Sequence, residues 1–343
     1  MNGSTTLQTV SNVPYGGSAT YTGNTPTSPD GDEFEFTGWN PKPTNIQGDT
    51  TCYAVFANPN ALDGKTWAEI SEISAAGTGA NYFAVGDCKA VALKGTVGTL
   101  ELDATYYVYI LGFNHNSEVE GNGITFGTFK DAASNGKDLC LVDSKYNTSS
   151  TDGTKCFNMS HWGNTNRGGW SGCDMRYDIL GSTDKAPSGY GAQPQTGRTG
   201  YNPSATCATT PVANTLMAAL PAELRAVMKP MTIYSDNTGG GSDTASYVTV
   251  TTDYLPLLAE FEIFGTRSGA NSAEQNYQEQ YDYFAAGNSK VKYRHSSTGS
   301  TAFWWMRSVY SSSSTGFRSV YTNGDSSSYY AFYAYGVAPA FRV

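Results

Sequence analysis

Three histidines, His115, His161 and His295, are the side chains best suited to acid–base or metal chemistry in this chain, and they lie far apart in the sequence. A catalytic histidine works together with a nucleophile, an orienting carboxylate or a metal. The chain contains neither a Gly-x-Ser-x-Gly motif nor a His-Glu-x-x-His motif. We therefore expect the histidines to be loop or packing residues.

Two carboxylates, Glu260 and Glu262, are spaced two residues apart. On a strand they would share one face and could resemble the acid pair of a glycosidase. Structural ion pairs or plain solvent exposure are the competing interpretation, and the sequence favours it. Glycan chemistry at this pair is kept as the alternative hypothesis.

The six cysteines give no metal signature, because no CxxC pair is present among Cys52, Cys88, Cys140, Cys156, Cys173 and Cys207. We expect mostly unpaired, buried thiols, while disulfides remain open. A calcium lectin would need clustered Asp, Asn and Glu oxygens. The tripeptide Gln193-Pro194-Gln195 resembles a sugar-binding motif only faintly and has no acidic neighbour. No metal, no cofactor and no catalytic residue is predicted.

Composition restricts the classes of partner. The 343 residues carry a net charge of −9, and only 15% of them are charged. No cluster of Lys and Arg is present, so we expect no nucleic-acid partner. No apolar run reaches membrane-spanning length, so no membrane insertion is expected. The start, MNGSTTLQTV, lacks a signal-peptide pattern, which indicates another route out of the cell, such as a virion, or a trimmed start.

The C-terminal segment, residues 303–343, has the most informative composition. Ser and Tyr dominate its middle, as they do in antibody paratopes, where Tyr gives contact area and Ser gives adaptable hydrogen bonds. Asn323-Gly324 predicts a two-residue type I′ hairpin turn, with Tyr321 facing Ser326 and Ser319 facing Ser328. A solvent-washed polar loop is the alternative.

Short strands and helices must position this segment. Alternation predicts strands at 6–10, 17–21, 34–39 and 51–56. Further strands are expected at 82–85, at 89–93 and at 106–111, where YYVYIL has the composition of a buried strand. A helix is expected over 272–286, bounded by a cap at Ser272 and by Gly287. The run DNTGGGS (236–242) predicts a flexible loop.

Residues 1–57 resemble the Listeria–Bacteroides repeat in PYGGSATYTG, FTGW and GDTTCYAVF. This resemblance implies a small all-β spacer or adhesion module. The run NPNALDG follows it, and we expect a linker over residues 58–63.

The remainder, residues 64–343, carries the motifs YFAVGDCKAVAL, YILGFNH, GGWSGCDMR, LPAELRAVMKP, LLAEFEIFG, WWMRS and GVAPAF. In these it resembles a domain family of phages and gut Firmicutes, and the C-type-lectin-like variable proteins of diversity-generating retroelements. The resemblance implies an α+β, C-type-lectin-like domain whose two ends meet. It further implies a non-enzymatic receptor-binding protein, a phage tail or surface adhesin, with a diversified segment at about 309–335.

Such retroelements mutate adenines, chiefly in AAC codons, from which Ser, Tyr, Phe and Asp are all reachable. By this resemblance the ligand-binding, variable positions are Tyr310, Ser312, Ser313, Ser314, Ser319, Tyr321, Asp325, Ser327, Tyr329, Tyr330, Phe332, Tyr333 and Tyr335. The fixed scaffold consists of Trp304, Trp305, Arg307, Phe317, Val320, Gly324, Ala331 and Pro339.

The resemblance implies a bacterial or host surface protein or glycan as partner, and a location at the virion surface, outside the cell or on a bacterial surface. A homo-oligomer, such as a trimer in a virion, stays open. The alternative function is a calcium lectin or a glycan-active enzyme on the same fold. A metal or a carboxylate pair in a pocket would favour that alternative, and a flat Tyr-rich face would favour the receptor-binding protein.

The retroelement hypothesis predicts a second, near-identical copy of the DNA that encodes residues 309–335. The two copies should differ almost only where the template has adenine. Sequencing the locus that encodes this chain tests the prediction. Substitutions scattered evenly over all four bases would contradict it.

Overall fold

The computed structural model describes residues 1–29, 35–57, 62–98, 100–131, 136–143, 159–160, 164–182 and 208–343. The chain divides into two compact units, Met1–Thr66 and Trp67–Val343. The architecture is mixed and mostly β, with several sheets and a few short helices. It is thus compatible with an α+β class. No helix in the described part of the chain is long and apolar enough to cross a membrane.

The first unit contains one antiparallel pair, β1 (Glu35–Asn40) and β2 (Tyr53–Ala57). The rings of Tyr21, Trp39, Phe36 and Phe56 form a small edge-to-face chain with centroids 5.1–6.0 Å apart. The strands predicted at 6–10 and 17–21 do not form in the described residues, where only isolated bridges such as Gly17 to Ile46 are found. None of the side chains in these two stretches is buried, so no buried face fixes a strand register.

The second unit is built on a seven-stranded sheet. Its strands are β3 (Cys88–Val97), β4 (Leu100–Phe113), β5 (Ile124–Asp131), β6 (Asp138–Leu139), β9 (Lys292–Arg294), β10 (Ser297–Ala302) and β14 (Phe341–Arg342). The order is β10-β9-β6-β5-β4-β3, and β14 also pairs with β5. Along β4, Tyr106, Val108 and Ile110 are buried at a spacing of two, as one buried sheet face requires. Strands β3 and β4 cover the predicted strands 89–93 and 106–111, whereas 82–85 is not a strand.

Two smaller sheets lie in the same unit. One is a pair, β7 (Met231–Asp236) with β8 (Val248–Asp253). The other is three-stranded in the order β11 (Trp304–Val309), β12 (Gly316–Val320) and β13 (Ser326–Tyr330). This second sheet carries most of the Ser/Tyr segment.

The helices are short: α1 (Trp67–Ala75), α2 (Ser117–Glu120), α3 (Leu216–Ala219), α4 (Ala222–Arg225), α5 (Glu260–Phe264) and α6 (Asp282–Ala285). The single helix predicted over 272–286 is wrong. A 3-10 turn, Ser272–Asn276, precedes α6, and Tyr281 between them is extended. The Gln278 amide donates to the Tyr234 carbonyl, at 2.7 Å, so a tertiary hydrogen bond competes with the helical path here.

The two ends of the second unit meet. Trp67, at the start of α1, packs edge-to-face on Phe341 with ring centroids 5.9 Å apart. Both rings also contact Phe126 of β5. The Ser74 hydroxyl donates to the carbonyl of Val343, at 2.5 Å. The closing strand is therefore fixed to the first helix as well as to the sheet.

Candidate ligand-binding face

The hairpin between β12 and β13 has a different turn from the predicted one. Tyr321 N–H donates to the Asp325 carbonyl (2.8 Å) and Gly324 N–H to the Tyr321 carbonyl (2.9 Å). Of the two predicted turn residues, only Gly324 has a positive φ, +93°, whereas a type I′ turn needs two. The loop is thus three residues long, 322–324, and the predicted register is wrong by one residue: Ser319 pairs with Ser327, not Ser328.

Seven aromatic rings around this hairpin form one continuous surface, here called the aromatic face: Phe303, Tyr321, Tyr329, Tyr330, Phe332, Tyr333 and Tyr335. Tyr335 lies nearly parallel to Phe303 (4.9 Å, 17°) and to Tyr333 (5.4 Å, 6°). Tyr321 and Tyr329 meet the Phe303 ring edge-on, at 4.5 and 5.0 Å. Aromatic pairs in such stacked or edge-to-face arrangements each contribute about 0.5–1.5 kcal/mol beyond their buried area.

The rings of the aromatic face are accessible to different degrees. Tyr330 is 50% exposed and Tyr321 is 41% exposed, while the other five are half-buried. Burial raises the pKa of the Tyr335 phenol above its usual range, and Tyr329 and Tyr333 raise it further. Tyr335 therefore remains a neutral phenol at physiological pH.

The scaffold beneath the face is fully buried. Trp304, Trp305, Phe317 and Val320 are at most 1% exposed. Trp305 touches the face from below, with its ring 5.0 Å from that of Tyr335. Phe341, Arg307, Ala331 and Pro339 are buried as well, and Gly324 is half-buried at the hairpin turn.

The thirteen predicted ligand-binding residues fall into three groups. Five are exposed: Ser312, Ser314, Tyr321, Asp325 and Tyr330. Seven are half-buried: Tyr310, Ser313, Ser327, Tyr329, Phe332, Tyr333 and Tyr335. One, Ser319, is completely buried, which is at odds with a displayed position. Ser319 lies in the central strand of its sheet, paired with Trp305 on one side and Ser327 on the other.

Glu260 ties the hairpin to helix α5. Its carboxylate accepts hydrogen bonds from Arg318 Nε (2.8 Å) and the Ser326 hydroxyl (2.6 Å). It also accepts from the backbone amides of Gly269 and Ala270, at 2.9 and 2.7 Å. Burial alone would raise the pKa of Glu260, but Arg318 and these donors lower it below the usual value.

Glu262 is bound in the same way by Arg307, whose Nη1 lies 2.6 Å from Oε2. Burial would raise the pKa of Glu262, and the Arg307 guanidinium lowers it. Both carboxylates lie on a helix, not on a strand, and both are neutralised by an arginine. A general acid needs a raised pKa, so this pair has the wrong electrostatics for a glycosidase and matches the structural interpretation.

Glu274 is a buried carboxyl whose pKa is raised, in contrast to those of Glu260 and Glu262. It accepts from the Ser308 hydroxyl (2.7 Å) and from Asp236 N–H (3.0 Å). Burial dominates and raises its pKa from 4.5 to about 7, with the negative charge of Asp236 contributing in the same direction. The protonation state of a group that joins β7 to β11 therefore changes near neutral pH.

Chemistry elsewhere is sparse in the described residues. No group of three His, Cys, Asp or Glu could hold a metal ion there. His115 stacks on Tyr281 at 3.9 Å, and burial lowers its pKa. Cys52, Cys88, Cys140 and Cys173 are present as thiols. His161, Cys156, Cys207 and the tripeptide 193–195 lie outside the described residues.

A polar cleft of about 770 Å³ lies in the first unit and is lined by residues such as Gln8, Tyr21 and Trp39. Its walls are mostly exposed or half-buried loop residues. It lies in a different unit from the aromatic face and contains none of the predicted ligand-binding residues.

Sequence reasoning missed Asn166, which organises the loop before β12. The loop, residues 310–316, is here called the display loop. Asn166 Nδ2 donates to the carbonyls of Ser313 (2.6 Å), Gly316 (2.8 Å) and Tyr310 (3.3 Å). Asn166 N–H donates to the Ser314 carbonyl at 2.9 Å, and its Oδ1 accepts from Gly240 N–H at 2.8 Å. No local sequence signal marks an Asn about 150 residues away as the partner of this loop.

More than half of the chain, residues 156–343, matches a family described as a domain of unknown function (DUF6273). The chain belongs to the DUF6273 family. The matched region begins after β6 and includes β7 to β14, and so the whole aromatic face, the display loop and Asn166. No curated protein and no solved structure matches the chain.

Removing the hydroxyl of Ser319 should leave the protein as stable as before, or up to about 1 kcal/mol more stable. The hydroxyl is buried and has no hydrogen-bond partner among the described residues, and an unsatisfied polar group opposes folding. Denaturant unfolding of Ser319→Ala measures the effect. Ser311→Ala is the matched control, because the buried Ser311 hydroxyl donates to the Gly269 carbonyl at 3.1 Å and its loss should cost about 1 kcal/mol. Equal losses in both variants would contradict the prediction.

Replacing Glu274 by Gln should flatten the dependence of stability on pH. An acid with a raised folded-state pKa stabilises the fold below its unfolded pKa and loses that contribution as the pH rises through the folded value. For Glu274 this window runs from 4.5 to about 7. The shift corresponds to about 3 kcal/mol. In urea unfolding at pH 4.5, 6 and 8, the free energy of unfolding of Glu274→Gln should increase relative to that of the parent as the pH rises. The exposed Glu223→Gln serves as control, and parallel curves for all three proteins would refute the assignment.

Proposed function

We propose that the second unit is a non-enzymatic ligand-binding domain that recognises its target through the aromatic face and the display loop. The observation that carries the proposal is the seven-ring aromatic face itself. Its rings stack on one another beside a sheet whose core is already formed by the buried Trp304, Trp305 and Phe317. Exposed apolar patches of this kind mark binding sites. Tyr is also enriched among the residues that dominate binding energy.

The finer proposal is a C-type-lectin-like variable protein of a diversity-generating retroelement. The meeting of the unit's two ends, through Trp67, Phe341 and Val343, supports it, because the resemblance implies such a fold. The placement of twelve of the thirteen candidate positions at least partly at the surface also supports it. Residues 1–57 would then act as a Listeria–Bacteroides-type spacer. The protein would be an adhesin of a virion tail or surface, or of a bacterial cell surface.

The charges of the segment restrict the ligand. Among the charged side chains of residues 303–343, Arg307, Arg318 and Arg342 are buried, and Asp325 alone is exposed. Residues 303–343 themselves therefore offer ring faces, hydroxyls and one carboxylate. This composition suits a neutral or cationic target on a bacterial or host surface, either a protein or a glycan, and the segment itself offers no exposed cation to a nucleic-acid backbone.

Truncating Tyr329 or Tyr333 of the aromatic face should weaken binding and leave the protein folded. Tyr329→Ala and Tyr333→Ala should each cost about 1–2 kcal/mol of folding free energy, because both rings are half-buried and pack on neighbouring rings. Each should weaken binding by about 2 kcal/mol or more, as interface tyrosines do. Binding is measured with the fluorescently labelled protein on a panel of intact gut bacteria and on a glycan array. Thermal melting gives the stability.

Tyr277→Ala is the matched control, since Tyr277 is 47% exposed and stacks on Tyr234 at 4.2 Å, outside the aromatic face. It should bind like the parent. Trp305→Ala should lose roughly 3–5 kcal/mol of stability, as buried aromatic truncations do. If the two face variants unfold as severely as Trp305→Ala, their rings belong to the core. If they bind as well as Tyr277→Ala, the face is not the binding site.

A further inference from the structure

Around positions 312 and 314 the display loop is held through its main chain, while the buried Ser311 hydroxyl anchors its start by donating to the Gly269 carbonyl at 3.1 Å. Four of its carbonyls, at Tyr310, Ser313, Ser314 and Gly316, accept from Asn166. The Thr165 hydroxyl donates to the Ser314 carbonyl as well, at 3.2 Å. Within the loop, Tyr310 N–H donates to the Gly316 carbonyl at 2.9 Å. A carbonyl is present whatever the side chain, so these bonds place no demand on residue identity.

The glycine run predicted as a flexible loop forms the other half of this support. The Asp236 carboxylate accepts from the amides of Thr238 (3.0 Å) and Gly239 (2.8 Å) and fixes the turn. At Gly239, φ +64°, a Cβ would lie 2.0 Å from the Asn166 carbonyl oxygen. At Gly241, φ +80°, a Cβ would lie 3.0 Å from Ser314 N and 3.1 Å from the carbonyl carbon of Ser313. Glycine lets this turn approach the backbone of the display loop closely.

Two side chains of the display loop remain unused by this arrangement. Ser312 and Ser314 are exposed, and neither hydroxyl bonds to any residue in the described part of the chain. Ser313 differs, because its Oγ lies 3.0 Å from Thr315 Oγ1 and accepts from Thr315 N–H at 3.2 Å. The loop therefore contains two positions that project into solvent from a backbone that is fixed elsewhere.

We propose that Asn166 and the 239–241 turn form a support, here called the platform, that holds the display loop in one conformation whatever side chains stand at positions 312 and 314. Residues 312 and 314 are then interchangeable recognition positions. The proposal rests on the proposed binding function and assigns Asn166 as its positioning residue. Asn166 is completely buried and touches no ligand itself. Its contribution is to fix where the side chains of the loop point, which limits the entropy lost on binding.

The first test removes the platform's amide. In Asn166→Ala, amide hydrogen exchange at Tyr310 and Ser313 should accelerate at least tenfold, while Val91 and Tyr106 of the large sheet should stay protected. Asn237→Ala is the matched control, because Asn237 lies just before the 239–241 turn and does not contact the display loop through its side-chain hydrogen bonds. Its Oδ1 accepts from Ser171 N–H, and its Nδ2 donates to the Thr249 carbonyl. Unchanged exchange in Asn166→Ala, or equal acceleration in both variants, would overturn the proposal.

A second pair of variants decides the question if Asn166→Ala fails to fold. Gly240→Ala and Gly241→Ala introduce the same left-handed strain, at φ +87° and +80°. Only at Gly241 does the new Cβ press on the loop backbone, because the nearest atom to a Cβ at Gly240 is 3.9 Å away. The proposal expects faster exchange at Ser313 in Gly241→Ala than in Gly240→Ala. Equal exchange would contradict it.

The decisive experiment replaces the exposed residues 312 and 314 of the display loop. The double variant Ser312→Tyr, Ser314→Tyr should keep the parent's melting temperature within about 2 °C and the parent's exchange at Tyr310 and Ser313, as surface changes do. Unfolding or loop opening in this variant would overturn the platform. Binding to the bacterial panel and glycan array is read separately. A double variant that stays ordered while neither it nor the parent binds would refute the proposed function and leave the platform standing.

Discussion

Two buried guanidinium groups set the constraint on which the binding face depends. Arg307 and Arg318 lie on neighbouring strands of the three-stranded sheet and are almost inaccessible to solvent. A buried cation without a carboxylate costs several kcal/mol. Helix α5 supplies both partners within one turn, Glu262 for Arg307 and Glu260 for Arg318. The two ion pairs therefore tie neighbouring strands of the sheet to adjacent positions of α5. Desolvation offsets much of the attraction within such buried pairs, but removing one partner would leave an uncompensated buried charge.

The ion pairs leave one side of the three-stranded sheet for the scaffold and the aromatic rings for contact with a ligand. Glu260 also accepts from Ser326 at the start of β13, so the hairpin that carries Tyr329 and Tyr330 is anchored from its polar side. The rings are then left to pack on one another and on Trp305 and Phe303. A binding surface built in this way separates recognition from folding: the ion pairs and buried tryptophans hold the scaffold, and the outer tyrosines are available for contact.

Asn166 and the glycine turn extend the same separation to the display loop. The loop contributes carbonyl groups to its support and keeps the hydroxyls of Ser312 and Ser314 in solvent. Hydrogen bonds to main-chain carbonyls form whatever the side chain is, so different residues can occupy these positions in the same backbone conformation. A support that bonds to the backbone of a loop lets the exposed side chains change while the shape of the loop is kept.

The sequence by itself determined the features that depend on near neighbours. Short apolar runs located the middle of β3 and of β4, the glycine at position 324 located a turn, and Ser/Tyr composition marked 309–335 as unlike a core. Tertiary structure decided the rest. A three-residue loop in place of a two-residue turn shifted the hairpin register, and the central position of β12 buried Ser319. Glu260 and Glu262 became ion-pair partners because a helix places them beside arginines 58 and 45 residues away. Asn166 and the turn 239–241 acquired their role because the fold brings them against a loop about 150 residues from Asn166. Local patterns specify turns and strands, but burial and hydrogen-bond partners are set by groups that only the folded chain brings together.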